Sequence, residues 1–301
     1  MHVSCTLSPP KRLGRGLKIK LAIAQLEPVP ASPKQNLEKI REVIASVKAD
    51  LYIFPELFLT GYYSKDLHYR YALTLDSPEV KEVRRIACEH GIGIVVGFAE
   101  KTGYGFLYNS ALATSCDNTK VYRKRHLPTF AVFEESRWFR PYRGSFTPWN
   151  FRGINIGVAI CYDIFFPEIF RAYTLQGAQL LIVISATPDQ SIPLFHTMIR
   201  ARALENTTYT AWVNMVGVFD GLGFGGASLL ADPLGNIALE LRKYREDVQV
   251  AEIDLEKASI IRLRRPIIRD CYIEDALQLL EAYKKFENMG EHSLERNSTT
   301  I

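Results

Sequence analysis

Ile154-Asn155-Ile156-Gly157-Val158-Ala159-Ile160-Cys161, then Pro167–Gln176, then Leu180-Leu181-Ile182-Val183-Ile184-Ser185: this stretch decides the fold. Its first and third parts are short, nearly unbroken apolar runs, the pattern of strands buried on both faces. The segment between them reads as a helix. Working outward, the same alternation recurs. Upstream, Ile19–Leu26 reads as a buried strand and Pro33–Ala49 as a helix, with Leu37, Ile40, Val43, Ile44 and Val47 near helical spacing. Ser32 stands where an N-cap belongs and Pro33 where a first helical residue does. Asp50–Phe54 is a second strand, Glu79–His90 a helix closed by Gly91, and Ile92–Phe98 a third strand. Leu107–Ala113 and Lys120–Arg125 form an antiparallel pair around the turn chemistry of Asp117-Asn118. Downstream, Phe195–Asn206 is a helix and Tyr209–Met215 a strand. Ala227–Ala231, Ile237–Leu241 and Val248–Ile253 finish that sheet, with Asp232-Pro233-Leu234-Gly235 as a turn. The tail, Ile267–Glu287, is one further helix with Leu, Ile and Tyr on one face, and Ser293–Ile301 is a frayed polar end. With no repeat and no linker, the chain predicts a single α/β domain over residues 19–301, its sheet covered by helices.

Composition narrows the function classes. The 301 residues are 47% apolar, enough to bury a large core, and 16 Phe and 15 Tyr with only 19 Gly exclude disordered and collagen-like chains. No apolar run approaches the ~18 residues of a membrane span. Lys11, Arg12, Arg15, Lys18 and Lys20 hold five of the 37 basic groups, so 32 basic residues face all 33 acids over the rest of the chain. That body lacks the basic footprint of a nucleic-acid binder. Residues 1–18 read as a flexible basic extension without a secretory apolar core. Cys5, Cys88, Cys116, Cys161 and Cys271 are odd in number, far apart and free of any C-x-x-C pair. They predict neither a disulfide framework nor a zinc knuckle, and point to the cytoplasm.

Three apolar strands end in reactive groups: Leu51–Glu56 in a carboxylate, Val121–Lys124 in an amine, Ile156–Cys161 in a thiol. Ligands of open α/β sheets gather at the carboxyl ends of strands, so the three can share one pocket. Cys161 precedes a helix, where the helix dipole and a cation lower a thiol's pKa. A small core residue is the commonest role of a free cysteine, and Gly157 removes bulk nearby. Glu56 lies beside Tyr52, Ile53, Phe54, Leu57 and Phe58, where desolvation raises a carboxyl toward the range of a general base. A lone loop glutamate is more often simply exposed. Lys124 belongs to a basic run that by itself reads as a solvated face, yet an ammonium there can stabilise an oxyanion.

Other features are decoys. Gly221–Gly226 matches G-x-G-x-x-G, but a strand rather than a helix follows, so it reads as a flexible loop and not a dinucleotide site. His126 and His196 invite a Cys–His hydrolase but read as structural or surface residues. Asp163 and Glu168 suit a helix start. Tyr62, Phe130, Phe133, Phe165 and Phe166 suit either an apolar pocket wall or the core.

Taken together, PELFLTGY (Pro55–Tyr62), YRKRHLPTF (Tyr122–Phe130) and GVAICYDIFFPEIFR (Gly157–Arg171) resemble the nitrilase, or carbon–nitrogen hydrolase, superfamily. ARALEN (Ala201–Asn206), Asn214 and SLLADPLG (Ser228–Gly235) extend the resemblance over residues 19–255. The resemblance implies Glu56 as general base, Lys124 as electrostatic stabiliser and Cys161 as nucleophile. It puts a supporting glutamate at Glu135, next to Glu134, and completes the oxyanion hole with the backbone amide of Tyr162. It implies an α-β-β-α sandwich, two mixed sheets face to face with helices outside, assembled as a homodimer or higher oligomer with the tail 257–301 at the interface. It further implies no metal or organic cofactor and a small amide or nitrile substrate. Amide or N-carbamoyl amide hydrolysis through a cysteine thioester is favoured as the commoner family chemistry. A true nitrilase, a non-catalytic scaffold of the same fold and a synthetase's glutaminase domain are the alternatives.

Overall fold

The computed structural model describes residues 18–62 and 65–298, so the expectation for residues 1–18 lies, but for Lys18, outside the described residues. The chain starts with β1 (Lys18–Gln25), α1 (Pro33–Ser46), β2 (Leu51–Ile53), α2 (His68–Tyr71), α3 (Pro78–Glu89) and β3 (Gly93–Lys101). There follow β4 (Leu107–Thr114), β5 (Thr119–Arg123), α4 (Glu135–Trp138), β6 (Trp149–Phe151), β7 (Ile154–Ile160), α5 (Pro167–Leu175) and β8 (Leu180–Ser185). The rest is α6 (Ile192–Asn206), β9 (Tyr209–Asn214), β10 (Val216–Phe219), β11 (Leu222–Gly225), β12 (Leu229–Ala231), β13 (Ile237–Glu240), β14 (Asp247–Asp254), α7 (Leu255–Arg264) and α8 (Ile273–Ser298).

Two mixed six-stranded sheets result, in the orders β14-β1-β2-β3-β4-β5 and β13-β12-β9-β8-β7-β6. The two-residue period of a strand assigns the layers. In β1, Leu21 and Ile23 face the second sheet, while Ala22 and Ala24 face α1 and α3; Leu51 and Ile53 against Tyr52 repeat the division in β2. The second sheet carries α5 and α6 on its outer face through Phe170, Tyr173, Ile199 and Ala203. The architecture is the α-β-β-α sandwich, and burial on both faces explains why its central strands are continuous apolar runs.

Several local expectations change. Ser32 occupies the N-cap position of α1, but its side chain makes no capping bond. β14 does not finish the second sheet; it runs antiparallel to β1, Lys18 opposite Asp254 and Gln25 opposite Asp247, and closes an edge that would otherwise be open. Gly221–Gly226 is no loose loop: Gly221 turns a β10–β11 hairpin, and Leu222–Gly225 is its second strand. The tail is two helices, because Pro266 cannot continue α7. Cys88 and Cys116, read as unpaired, form a disulfide; 28 positions apart, they are brought together where the end of α3 meets the β4–β5 turn. Gly157 makes room for Tyr173 rather than for the thiol, since a Cβ there would lie 2.7 Å from that ring. Among the described residues no helix is long and apolar enough to cross a membrane.

Candidate active site

The ends of β2, β5 and β7 converge. Glu56 sits on a turn beyond β2 that presses against β3: a Cβ at Gly97 would come within 2.2 Å of the Leu57 nitrogen, so only glycine permits this approach. Lys124 follows β5 directly, tied to β4 by its N–H donating to the Asn109 carbonyl (2.8 Å). Cys161 follows β7 with φ at +47°, a left-handed conformation uncommon for a side-chain-bearing residue, and opens a short 3-10 helix (Cys161–Phe165). The first two N–H groups of such a helix, on Cys161 and Tyr162, have no acceptor within it.

Glu56 and Lys124 are fully buried, Glu135 is 4% exposed and Cys161 5% exposed. Lys124 Nζ donates to Glu56 Oε1 and to Glu135 Oε1, both at 2.7 Å. Asn109 Nδ2 donates to Glu56 Oε1 (2.7 Å) and reaches Glu135 Oε2 (3.5 Å). The second oxygen of Glu56 accepts from the Ala186 N–H at 2.8 Å, and that same amide favours a thiolate on Cys161. Thr187 Oγ1 lies 3.9 Å from the sulfur. One amine therefore bridges two carboxylates, and one backbone amide links the first carboxylate to the thiol. Of the two neighbouring acids, Glu135 faces Lys124, whereas Glu134 is exposed.

Electrostatics correct one expectation. The pull of the Lys124 charge toward a Cys161 thiolate is present but is outweighed. Burial, reinforced by the Glu56 charge and opposed by Lys124, raises the thiol pKa well above the ordinary value. Burial also works against charge on Lys124, but the Glu135 and Glu56 carboxylates outweigh it and raise the ammonium above the usual lysine range. Burial lifts Glu135 to about 7 against the pull of Lys124.

Asp163 is a structural post between two of the strand ends. Fully buried, it accepts from Tyr122 Oη (2.8 Å), two residues before Lys124, and from the backbone N–H of His126 (3.0 Å). His126 is held there, 2.9 Å from Asp163 through Nδ1 and stacked on Phe166, and His196 lies 2.9 Å from the Ala227 carbonyl. Glu168 accepts from Tyr283. Sequence reasoning missed Asn109, Ala186 and Thr187. A polar Asn within the apolar strand LYNSALAT was the available signal for the first; Ala186 and Thr187 sit just past the end of β8, where the strand-end rule already pointed.

A cavity of about 260 Å³ opens onto Cys161, walled by Phe130, Phe133, Tyr162, Phe165, Leu194 and Phe195. Of the aromatic candidates, Tyr62 and Phe166 are not among its walls: Tyr62 packs edge-on against Phe224, and Phe166 stacks on His126.

A paired-sheet α/β sandwich thus bears an acid, an amine and a thiol at adjoining strand ends, the equipment of a thiol enzyme. Residues 20–262 match the sequence model of the carbon-nitrogen hydrolase family, and the chain belongs to that family. It is 32% identical to an (R)-stereoselective amidase of Pseudomonas sp. over 258 residues, 84% of this chain and 91% of the relative. It is 34% identical to a nitrilase of Pyrococcus abyssi over 244 residues, 79% and 90% of the two chains. Among solved structures, a mutant of the amidase from Nesterenkonia sp. AN1 superposes with a TM-score of 0.72 at 26% identity, covering 88% of this chain and 98% of the other. That mutant shows covalent addition of the acetamide moiety of fluoroacetamide at its active-site cysteine.

Proposed function

We propose that this carbon–nitrogen hydrolase is an amidase, cleaving amides or N-carbamoyl amides through a thioester on Cys161. The observation that carries the reading is the buried Lys124 held between Glu56 and Glu135 beside the Cys161 thiol. Glu56 takes the thiol proton as Sγ attacks the carbonyl carbon. Two of the three Lys124 N–H donors are engaged by carboxylates, and the third, with the Tyr162 N–H, receives the developing oxyanion. Glu56 returns the proton to the nitrogen, the C–N bond breaks and ammonia or amine departs. Glu56 then deprotonates a water that attacks the thioester, releasing the acid and restoring the thiol. Glu135 takes no proton in this cycle; it orients Lys124.

The adduct at the active-site cysteine of the Nesterenkonia amidase supports covalent chemistry at the corresponding strand end. The Pyrococcus relative keeps nitriles within the test. An ammonia-release screen over amides, N-carbamoyl compounds, ureides and nitriles, with Cys161→Ser as blank, should find amides hydrolysed by the parent only. Turnover in the blank, or of nitriles alone, contradicts the reading. Glu56→Gln should abolish hydrolysis, whereas a Cys–His enzyme built on His126 would retain it. We place the contact between copies on the exposed apolar face of α8, with Leu277, Leu280 and Phe286. A chain lacking residues 257–301 that keeps its oligomeric state in light scattering would remove that assignment. The proposal sets the enzyme in the cytoplasm on its free Cys161 and Cys271 thiols; the Cys88–Cys116 pair weighs against it.

A further inference from the structure

The cavity above Cys161 has a chemical character that selects its ligand. Its rings are in mutual contact: Phe130 lies 5.4 Å from Tyr162, Tyr162 5.6 Å from Phe165, and Phe165 5.5 Å, edge-on, from Phe195. Phe195 is fixed from behind by stacking on Trp212 at 5.4 Å. The polar groups on the walls besides the sulfur are neutral hydroxyls, on Tyr162, Thr187 and Ser191. Among the described residues no carboxylate, ammonium, guanidinium or imidazole lines it.

Lys124, Glu56 and Glu135 beside the sulfur are paired with one another, and the charges beyond them are directed elsewhere. Glu134, Lys65 and Asp220 line a second cavity, which shares Phe133 with this one and reaches Glu135 but not Cys161. Asp189 lines another recess with Glu27 and Arg245. His126 and Asp163 are engaged with each other. With the nitrogen of a primary amide R–CO–NH₂ toward the carboxylates, the acyl chain R is directed into the cavity that Cys161 itself lines. A charge on R would be taken out of water with no partner, which is strongly unfavourable. An apolar R gains burial, and a flat ring gains edge-to-face contacts.

We propose, building on the amidase reading above, that the enzyme selects amides whose acyl chain is uncharged and apolar, branched alkyl or aryl, and rejects those bearing a carboxylate or ammonium a few atoms from the carbonyl. Glutamine and ω-amides of dicarboxylic acids are thereby excluded as substrates. The decisive pair is 4-methylpentanamide and succinamate, which differ by an isopropyl group against an isosteric carboxylate. The full-length protein should hydrolyse the first with kcat/KM at least 100-fold above the second, with phenylacetamide on the favoured side and L-glutamine on the other. Equal or faster turnover of succinamate or glutamine overturns the selectivity and leaves the amidase reading intact. Calorimetric binding of the same pair to Cys161→Ala separates the two ideas, since it needs no turnover. At least tenfold tighter binding of 4-methylpentanamide upholds the selectivity even if no amide is hydrolysed, and equal binding overturns it. Leu194→Arg, which places a cation at the exposed rim, should shift the kcat/KM ratio toward succinamate at least tenfold; an unmoved ratio means that the acyl chain does not enter here.

Discussion

Replacing Lys124 by methionine keeps most of the length of the side chain and removes its charge. In the parent the ammonium makes two ion pairs of 2.7 Å with Glu56 and Glu135, and neither it nor Glu56 is accessible to solvent. Taking one partner from a buried pair typically costs about 3–5 kcal/mol, because the remaining charge has neither water nor counter-ion. Two carboxylates are abandoned here, with only Asn109 and the Ala186 N–H left to solvate them. For a 301-residue chain that loss corresponds to roughly 5–8 °C in Tm. The effect has a pH sign. Glu135 is already raised to about 7 in the folded protein, and such a group stabilises the fold below its unfolded pKa and ceases to do so as pH rises through the folded one. Without the ammonium Glu135 rises further, so the deficit should be largest near pH 8 and shrink toward pH 5 as Glu135 takes up a proton. Denaturant titration at both pH values measures it. Converting Glu56 and Glu135 to glutamine in the same variant should recover most of the loss, since replacing a whole buried ionic cluster by neutral groups costs far less than breaking it. A Lys124→Met protein as stable as the parent at pH 8 would refute the reasoning.

Three further outcomes follow from the same geometry. Gly97→Ala places a Cβ against the Pro55–Leu57 turn, and should cost about 1–3 kcal/mol and lower kcat by displacing Glu56; Gly103→Ala, whose Cβ meets open space, is the matched control, and equal behaviour of the two contradicts the packing argument. Because burial holds the Cys161 thiol above the ordinary range, its alkylation by iodoacetamide, followed by peptide mass mapping, should keep accelerating past pH 9; a plateau near pH 6 would mean a resting thiolate. Cys88→Ser with Cys116→Ser opens a 28-residue loop and should destabilise the protein by about 3–4 kcal/mol while leaving kcat unchanged, measured by denaturation and ammonia release.

Legibility in the sequence followed burial. Ile154–Ile160 and Leu180–Ser185 came out with the bounds they have in the fold, because strands covered on both faces are unbroken apolar runs with abrupt polar ends. The half-exposed β14 revealed its existence but not its sheet, since a partner is chosen by tertiary geometry that no local pattern records. The β10–β11 hairpin was hidden by its glycines, although Asp220-Gly221, with φ of +52° and +77°, is standard turn chemistry between two strands. Glu56, Lys124 and Cys161 could be read together because each sits at the carboxyl end of a strand. Asn109 stood out only as a polar residue in an apolar strand, and the sheet face it points to depends on register, which that pattern does not record. The thiol's pKa went the wrong way because proximity to a helix and a cation is visible in a sequence, whereas depth of burial is not.

The account stands or falls on which atom carries the acyl group. The parent enzyme should be mixed with a slowly hydrolysed aryl amide and quenched in acid within its first turnovers. Intact-mass spectrometry should then show a gain equal to the acyl moiety, mapped to the peptide that contains Cys161 and missing from Cys161→Ala and Glu56→Gln. An acyl group on Cys271 or on any other residue, or steady hydrolysis by the Cys161→Ala protein, would contradict it.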